Sequence, residues 1–379
     1  MRAIVVGAGV LGASTAFHLA RAGAEVTIAE AGLEGRATAA GAGIVCPWVS
    51  GADDAAFYRL YVAGARYYTE LVPLLAEHGE ADVGYRRVGA LVVSDDAREL
   101  AAFDRELRRR RVATPEMGEI SLLAPRETRA LFPPLRAGLS GLHVGNGARV
   151  DGRRITAALL RAARGLGARL VEAHAQPLAR GGRVAGVRLD GDVVEADWVI
   201  VTAGAWASSL LRPLGLALPI EPQRGQIVHL SLPADMTEQW PVVLPPGSHY
   251  LLAFEAGRIV AGATRESGAG FDYRVTAAGL AEVLREALGV APGLAAATVV
   301  ETRVGFRPVG PDVRPMLGTV PSLPGLVIGN GLGAAGLTIG PFAGRLLADT
   351  VLGHPASLDL SPFDPSRPAA NEPWTAPLR

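Results

Sequence analysis

The sequence is poor in cysteine, because Cys46 is the only one among its 379 residues. A lone thiol excludes an intramolecular disulfide bond and a metal cluster built on several cysteines. The seven histidines lack the spacing of metal ligands, so we expect no bound metal. A chain without disulfide bonds is typical of a reducing compartment, and we therefore expect a cytoplasmic location.

The sequence also lacks a surplus of charge of either sign. Lys and Arg together number 37, Asp and Glu together number 37, and the formal net charge is +0. Proteins that bind nucleic acid usually carry a basic surplus or a basic face. The densest basic run, residues 108–111, ends a predicted amphipathic helix, where cations interact favourably with the helix dipole. We therefore expect no nucleic-acid partner.

No uninterrupted apolar run is long enough to cross a membrane. The uncharged stretch 315–344 contains Pro321, Pro324 and Pro341 together with many glycines, which prevents one continuous apolar helix. Glycines also interrupt the apolar N-terminus, and no cleavage site of small residues follows it. We predict neither a transmembrane segment nor an export signal.

The first thirty residues carry glycine in an informative arrangement. In chain order they show an apolar strand (3–6), the turn Gly7-x-Gly9-x-x-Gly12, a helical pattern (10–21), a second apolar strand (25–29) and Glu30. The glycines permit a tight turn and close approach of the backbone to a pyrophosphate, which the helix N-terminus attracts. Glu30 stands where an acidic side chain accepts hydrogen bonds from a ribose. The combination predicts a dinucleotide-binding βαβ unit.

Glycine-rich turns recur in two later segments. An apolar strand within 195–206 ends in one, and a strand within 326–338 ends in another, before a helix predicted over 341–352 with Pro341 in its first turn. Between these segments, residues 219–265 alternate as strands, which indicates an antiparallel sheet with one covered face. Three separated turns fit a cofactor longer than NAD, whose binding domain is normally contiguous.

Taken together, five motifs resemble those of the D-amino-acid oxidase family of FAD-dependent oxidoreductases, which includes glycine oxidase, sarcosine oxidase and D-amino-acid dehydrogenases. The motifs are GAGVLG with Glu30, the GAGI loop at 41–44, ADWVIVTAGAW at 196–206, GFRPVGPDVRPMLG at 305–318 and GLGAAGLTIGPFAGRLLAD at 331–349. RGQ at 224–226 is a weaker sixth. The resemblance covers nearly the whole chain, and its last two motifs are the specific ones.

This resemblance implies an α/β fold with an α+β second domain. A discontinuous Rossmann-type FAD-binding domain would comprise 1–80, 145–218 and 300–362. A substrate domain built on an antiparallel sheet would comprise 81–144 and 219–299, and a loosely packed tail would comprise 363–379.

The resemblance also implies which residues bind FAD. Four segments would hold, in turn, the ADP half, the isoalloxazine ring, the pyrophosphate with the flavin, and the flavin C2 carbonyl. In that order, these are Gly7, Ala8, Gly9, Val10, Leu11, Gly12 and Glu30; Ala39, Ala40, Gly41, Ala42, Gly43 and Ile44; Ala203, Gly204 and Trp206; and Gly333, Ala334, Ala335, Gly336, Leu337 and Thr338. Backbone N–H groups near the C2 carbonyl would stabilise the negative charge of the reduced flavin.

Some members of the family hold the flavin through a cysteine in the segment that matches GFRPVGPD. Gly305 occupies that position here, so we predict non-covalent FAD. Cys46 lies in the early loop without a neighbouring Lys, Arg or His to activate a thiolate. We interpret it as a small apolar residue near the cofactor.

On the substrate side the resemblance assigns Arg307 and Tyr250 to the binding of a substrate carboxylate, and Arg307 would also lie beside the cofactor. A planar guanidinium binds a carboxylate through two parallel hydrogen bonds. Alternatively, Arg307 forms an ion pair with Glu301 or Asp312, and Tyr250 only packs in a sheet.

Three further side chains, those of His249, Arg224 and Trp48, have a structural role as an expectation or as an alternative. His249 precedes Tyr250, and adjacent strand residues point to opposite faces, so we expect a structural histidine. Arg224 extends toward the site or caps a turn. Trp48 forms a pocket wall or packs in the core.

The activity implied is oxidative deamination of a D-amino acid. A hydride passes from Cα to flavin N5, the imino acid hydrolyses to an oxo acid and ammonia, and oxygen or a quinone reoxidises the flavin. Glycine, sarcosine or a cyclic imino acid of the proline type is the alternative substrate. An NAD(P)-dependent dehydrogenase and a non-catalytic flavin-binding subunit are the other hypotheses.

Overall fold

The computed structural model of the protein describes residues 1–51, 53–233 and 236–368. Its strands are β1 (Arg2–Val6), β2 (Glu25–Glu30), β3 (Ile44–Val45), β4 (Tyr85–Arg87), β5 (Ala90–Ser94), β6 (Ile120–Leu123), β7 (Ser140–Val144), β8 (Ala148–Val150), β9 (Arg169–Glu172), β10 (Ala175–Arg180), β11 (Arg183–Leu189), β12 (Asp192–Glu195), β13 (Trp198–Val201), β14 (Glu221–Ser231), β15 (Val242–Leu244), β16 (Tyr250–Ala253), β17 (Arg258–Gly262), β18 (Thr298–Val309), β19 (Met316–Thr319) and β20 (Leu326–Asn330). Its α-helices are α1 (Val10–Arg21), α2 (Ala37–Ala40), α3 (Ala55–Glu77), α4 (Ala97–Arg111), α5 (Pro125–Leu131), α6 (Gly152–Gly165), α7 (Ala207–Leu211), α8 (Ala277–Val290) and α9 (Gly336–Leu352).

A six-stranded sheet in the order β19-β20-β13-β1-β2-β9 organises the cofactor side of the molecule. Five of its strands are parallel, and β19 runs antiparallel at one edge. The helices α1, α3, α6 and α9 contribute to the apolar core on one face, and the three-stranded sheet β10-β11-β12 with α7 contributes to the core on the other. The Gly7 turn follows directly after the carboxyl end of β1, as the N-terminal motif predicts.

A second, eight-stranded sheet has the order β18-β14-β17-β16-β15-β5-β7-β6. Its pairs are antiparallel except for β15 and β5, which run parallel. Alternate residues of β5 point to different cores: Ala90 and Val92 contribute to the core shared with α4, and Leu91 and Val93 to the core shared with α8. The mixed α/β fold with a mainly antiparallel second sheet confirms the predicted fold class.

Two predicted boundaries need correction. The boundary at residue 300 falls inside β18, because eleven residues of β14 pair with this strand and keep it in the eight-stranded sheet. The predicted loose tail begins at Phe363, yet Phe363 is buried and Arg367 pairs with buried Asp312 at 2.6 Å. Residues 369–379 of that predicted tail lie outside the described part of the chain. With β18 assigned to the substrate side, we otherwise propose the division of domains predicted above.

The last long helix begins earlier than predicted. α9 starts at Gly336, so Pro341 lies inside the helix and not in its first turn. Over residues 1–51, 53–233 and 236–368, no helix is long and apolar enough to cross a membrane.

Candidate active site

The turn after β1 needs glycine for steric reasons. Gly7 has a φ of +103°, and a Cβ there would lie 2.7 Å from the carbonyl oxygen of Thr202. A Cβ on Gly12 would overlap the carbonyl oxygen of Gly7. The N-cap of α1 is Gly9, which has no side chain to cap the helix, and the Val10 N–H donates a hydrogen bond to the Thr38 hydroxyl at 3.2 Å. The first turn of α1 therefore leaves backbone N–H groups able to bind an anion at the end of the strand.

Glu30 is held in place at the end of β2. Its carboxylate accepts hydrogen bonds from the backbone N–H of Ala8 at 2.8 Å and of Gly32 at 2.9 Å. Arg36 lies 3.6 Å from the same carboxylate. The backbone N–H of Ala8 therefore helps to hold the Glu30 carboxylate in position.

A cavity of about 630 Å³ runs past these groups. Residues of all four predicted cofactor segments line it: Gly7, Gly9, Val10, Leu11 and Glu30; Ala40, Gly41, Ala42, Gly43 and Ile44; Ala203, Gly204 and Trp206; and Gly333, Ala334, Ala335, Gly336 and Leu337. Residues 173–176 also line it, and the sequence had not indicated them. The cavity thus joins glycine-rich turns from three distant parts of the chain.

Two residues predicted to contact the cofactor have their polar groups engaged elsewhere. The Ala39 carbonyl accepts hydrogen bonds from Arg153 at 3.1 Å and Arg303 at 3.5 Å. The Thr338 hydroxyl donates to the carbonyl of Ile44 at 2.9 Å, which links the start of β3 to α9. We therefore expect Ala39 and Thr338 to support the site.

The donor set and shape of the cavity fit FAD. A fixed carboxylate at Glu30 suits ribose hydroxyls, and the Gly7 turn with the remaining N–H groups of the first turn of α1 suits a pyrophosphate. The start of α9 also lacks a side-chain cap, so its first amides are available at a second place along the cavity. An extended dinucleotide can span these two helix starts.

Arg307 and Tyr250 come together in the same cavity. The Arg307 guanidinium donates a hydrogen bond to the Thr264 carbonyl at 3.0 Å and also interacts with the Tyr250 hydroxyl. Burial raises the pKa of Tyr250, which remains a hydrogen-bond donor at neutral pH, and the positive charge of Arg307 opposes that rise. We call this pair the carboxylate clamp.

Both predicted ion-pair partners of Arg307 are bound to other arginines. Glu301 accepts a hydrogen bond from Arg303 at 2.8 Å, and Asp312 pairs with Arg367 at 2.6 Å. Glycine at position 225 leaves room for the clamp, because a Cβ on Gly225 would lie 2.5–2.7 Å from the Arg307 guanidinium. The RGQ motif therefore positions Arg307 through its glycine.

The arginine of that motif points away from the clamp. Arg224 pairs with Glu266 at 2.6 Å and with Asp272 at 2.8 Å. Gln226 donates to the same Glu266 carboxylate at 2.7 Å. Of the two roles left open for Arg224, the structure favours bracing the loop that contains Glu266 and Asp272.

His249 directly precedes β16, which begins at Tyr250. Its Nε2 lies 3.4 Å from a Glu282 carboxylate oxygen of α8, the helix that packs on the face of β16 to which Leu251 and Ala253 contribute. Tyr250 packs on the other face with Leu252, so the two side chains point in the opposite directions that strand alternation predicts. His249 is also among the residues that line the cavity.

Cys46 and Trp48 are both buried in the apolar core beneath the eight-stranded sheet. Burial raises the pKa of Cys46 to about 12, so the thiol stays protonated at neutral pH. Of the two roles left open for Trp48, core packing agrees with this position.

Sequence reasoning missed Arg265 and Tyr61, which line the cavity with the clamp. Burial, reinforced by the charge of Arg307, lowers the pKa of Arg265 to about 10. Burial raises the pKa of Tyr61 to about 12. A charged residue three positions after the end of the apolar strand β17 was the available signal for Arg265, whereas nothing in the α3 pattern distinguishes Tyr61 from a core residue.

Within the described ranges, no group of three or more His, Cys, Asp or Glu side chains could hold a metal ion.

Comparison with known proteins gives consistent matches over nearly the whole chain. Residues 2–350 match the model of the family described as FAD dependent oxidoreductase (DAO). The crystal structure of iminodiacetate oxidase (IdaA) from Chelativorans sp. BNC1 superposes with a TM-score of 0.94 and 52% identity, covering 97% of this chain and 100% of that one.

Two curated relatives extend the comparison. The uncharacterised oxidoreductase YurR of Bacillus subtilis is 50% identical over 364 residues, which cover 96% of this chain and 98% of that protein. A glycine oxidase of Pseudomonas aeruginosa is 34% identical over 373 residues, which cover 96% of this chain and 98% of the relative.

Proposed function

The chain belongs to the DAO family of FAD-dependent oxidoreductases, and from that premise we propose that it oxidises the carbon–nitrogen bond of a small glycine-type amino acid, with or without a substituent on nitrogen. One observation carries the proposal: Arg307 and Tyr250 share a cavity with the glycine-rich turns and Glu30. The names of two relatives, glycine oxidase and iminodiacetate oxidase, agree with a substrate of this class.

The clamp would orient the substrate. Arg307 would bind the substrate carboxylate through parallel hydrogen bonds, and the Tyr250 hydroxyl would donate a third. Holding the carboxylate fixes the adjacent Cα relative to the cofactor, and this positioning supplies much of the rate. The lone pair of the neutral substrate amine assists loss of hydride from Cα, so the chain need not provide a separate base.

When bound, FAD supplies the two-electron acceptor for that hydride. The substrate carbon becomes the carbon of a C=N bond; water then adds to it and the C–N bond breaks, which yields an oxo acid and ammonia or an amine. The two electrons pass finally to oxygen or a quinone. Both acceptors balance the reaction, and we propose them as alternatives.

We also propose that FAD is held without a covalent bond. Glu30 would bind the adenosine ribose, the turn at 7–12 the pyrophosphate, and the amides of 333–337 the flavin carbonyl end. Gly305, at the position where some relatives carry a linking cysteine, has no side chain to offer. Cys46 is protonated and buried. A cytoplasmic location remains our proposal from the cysteine content.

The visible spectrum of the purified protein under anaerobic conditions tests this function. We expect a yellow protein that is bleached by glycine, sarcosine or iminodiacetate. Bleaching by D-alanine alone would instead support D-amino-acid deamination, and bleaching by proline would support a cyclic imino acid. A yellow protein that none of these compounds bleaches would contradict amino-acid oxidation. Release of the flavin by acid would support non-covalent binding.

Replacement of Arg307 tests the clamp. We expect Arg307→Ala to lower kcat/KM at least about 100-fold with flavin content unchanged, because a bidentate charged contact is lost. Arg180→Ala is a matched control, since Arg180 is exposed and pairs with Glu195 in the small three-stranded sheet. Equal kcat/KM for the two variants would remove Arg307 from the site.

A further inference from the structure

We propose that the preferred substrate carries two carboxylates, one bound by Arg307 and the second by Arg265. This inference deepens the proposed function and rests on it. The substrate class is a secondary amine with a carboxymethyl group on nitrogen, in which the second carboxylate lies on the far side of the nitrogen from the carbon that is oxidised. Glycine and sarcosine, with one carboxylate each, would be weaker substrates.

The first argument is the rigid placement of Arg265. The preceding Thr264 accepts a hydrogen bond from Arg307 through its carbonyl at 3.0 Å, and its hydroxyl donates to Glu266 at 2.7 Å. The following Glu266 is held by Arg224 at 2.6 Å and by Gln226 at 2.7 Å. Both neighbours of Arg265 are thus fixed, and one of them is tied directly to the first guanidinium.

The RGQ motif therefore helps to position both Arg307 and Arg265. Gly225 leaves space for the Arg307 guanidinium, while Arg224 and Gln226 hold the carboxylate next to Arg265. Glu266 accepts hydrogen bonds from both of these side chains and from Thr264, which fix its carboxylate, and its charge partly offsets that of Arg307.

The second argument is electrostatic. Arg265 and Arg307 lie in one cavity, and each guanidinium is partly desolvated there. Like charges in a poorly solvated site repel each other and favour the binding of opposite charge. A dicarboxylate brings one negative charge to each of the two guanidinium groups, whereas a monocarboxylate brings a single negative charge to the pair. The site therefore discriminates by substrate charge.

The third argument is the tyrosine beside each arginine. Tyr250 accompanies Arg307, and the α3 residue Tyr61 lies within electrostatic reach of Arg265. Burial raises the pKa of both phenols, so they stay protonated at neutral pH, and the Tyr61 hydroxyl also hydrogen-bonds Thr338. Each proposed carboxylate position thus combines one guanidinium with one protonated phenol.

A pair of substrates matched in size tests the proposal. Iminodiacetate carries two carboxylates, and N-(carbamoylmethyl)glycine replaces one of them with a neutral amide. In anaerobic stopped-flow reduction of the holoenzyme, we expect the second-order rate constant to be at least about 10-fold higher for iminodiacetate, since a hydrogen bond between two charged groups is lost with the amide.

The Arg265→Gln variant then identifies the residue responsible. We expect the preference for iminodiacetate over the amide to fall about 10-fold in this variant. Arg265→Lys retains the charge and should keep part of the preference. Arg180→Gln, the same change on the exposed surface, should keep all of it.

Binding of inert analogues provides a readout independent of turnover. Thiodiacetate and (methylthio)acetate differ by one carboxylate, and their Kd values follow from the change in flavin absorbance. We expect tighter binding of thiodiacetate to the parent protein and nearly equal Kd values in Arg265→Gln.

The outcomes separate this proposal from the proposed function. If glycine and the amide reduce the flavin as fast as iminodiacetate, and Arg265→Gln alters all three equally, amino-acid oxidation stands and the second carboxylate site is refuted. If no amino acid reduces the flavin, the proposed function fails, and equal Kd values for the two thioethers would refute the second site as well.

Discussion

At the scale of single residues, Gly225 decides where the Arg307 guanidinium can lie. Gly225 pairs with Gly305 across β14 and β18, and Arg307 follows two residues later on β18. A Cβ on Gly225 would meet the flexible end of the Arg307 side chain at 2.5–2.7 Å. A larger residue would therefore move the guanidinium, with little strain on the sheet itself.

We expect Gly225→Ala to lower kcat/KM at least about 10-fold while the flavin stays bound, since displacement of a positioning group by about 1 Å can cost about 100-fold in rate. Steady-state kinetics with iminodiacetate or glycine measure the effect. Gly289→Ala is the control: Gly289 is exposed in α8 with no atom within 4 Å of a built Cβ. That variant should keep its kinetics and gain about 0.5–1 kcal/mol of stability. Unchanged kinetics in Gly225→Ala would contradict the position of the clamp.

At the scale of elements, α9 contains a break in its hydrogen bonding that a neighbouring helix repairs. Pro341 has no N–H, so the carbonyl of Leu337 loses its intrahelical donor. The Tyr68 hydroxyl of α3 donates to that carbonyl at 2.5 Å. The Pro341 carbonyl in turn accepts a hydrogen bond from Ser14 of α1 at 2.6 Å. The break therefore joins three helices close to the residues that line the cavity.

Tyr68→Phe should destabilise the holoenzyme by about 1–2 kcal/mol, because it leaves a buried carbonyl without a donor. In a Pro341→Ala background the same change should cost less, since that substitution restores a backbone N–H that can donate to the Leu337 carbonyl. Urea denaturation of the four proteins in this double-mutant cycle measures the coupling. Equal costs in both backgrounds would show that the Tyr68 hydroxyl does not compensate for the proline.

At the scale of the whole molecule, two buried histidines make stability depend on pH. Burial lowers the pKa of His18, which hydrogen-bonds Tyr67, to about 3. Burial also lowers the pKa of His229, on β14, to about 4. The ordinary value is 6.5, so as the pH falls below 6.5 the unfolded chain binds protons that the folded chain does not. Stability is therefore complete above about pH 6.5 and declines below it.

We expect the free energy of unfolding to fall between pH 6.5 and 5, approaching roughly 1.4 kcal/mol per pH unit for each histidine. Carboxylates with lowered pKa values act at lower pH, so this window isolates the histidines. His229→Leu should remove its own share of the slope and keep its stability near pH 7.5, while His18 and His143, whose pKa burial also lowers, keep theirs. Urea denaturation at pH 7.5, 6 and 5 measures both. An unchanged slope in the variant would show that His229 is solvated or paired.

Local sequence patterns were sufficient to predict the first strand, turn and helix and to identify the family. The turn at 7–12, the strand before it and the acid after it follow from short-range sterics and periodicity, and the observed α1 (Val10–Arg21) has the predicted bounds. The five motifs placed the chain in the correct family for the same reason: each is a contiguous stretch whose backbone needs particular residues.

Tertiary structure decided what converges on the cavity. Arg307 lies over Gly225, Tyr61 of α3 approaches Arg265, and Tyr68 repairs α9, all through pairings between distant parts of the chain. Such contacts depend on sheet register and helix packing, which no local pattern encodes. By itself the sequence determined a flavin-binding oxidoreductase fold. Only the folded chain decided which charged side chains share its cavity, because separate segments of the sequence supply them.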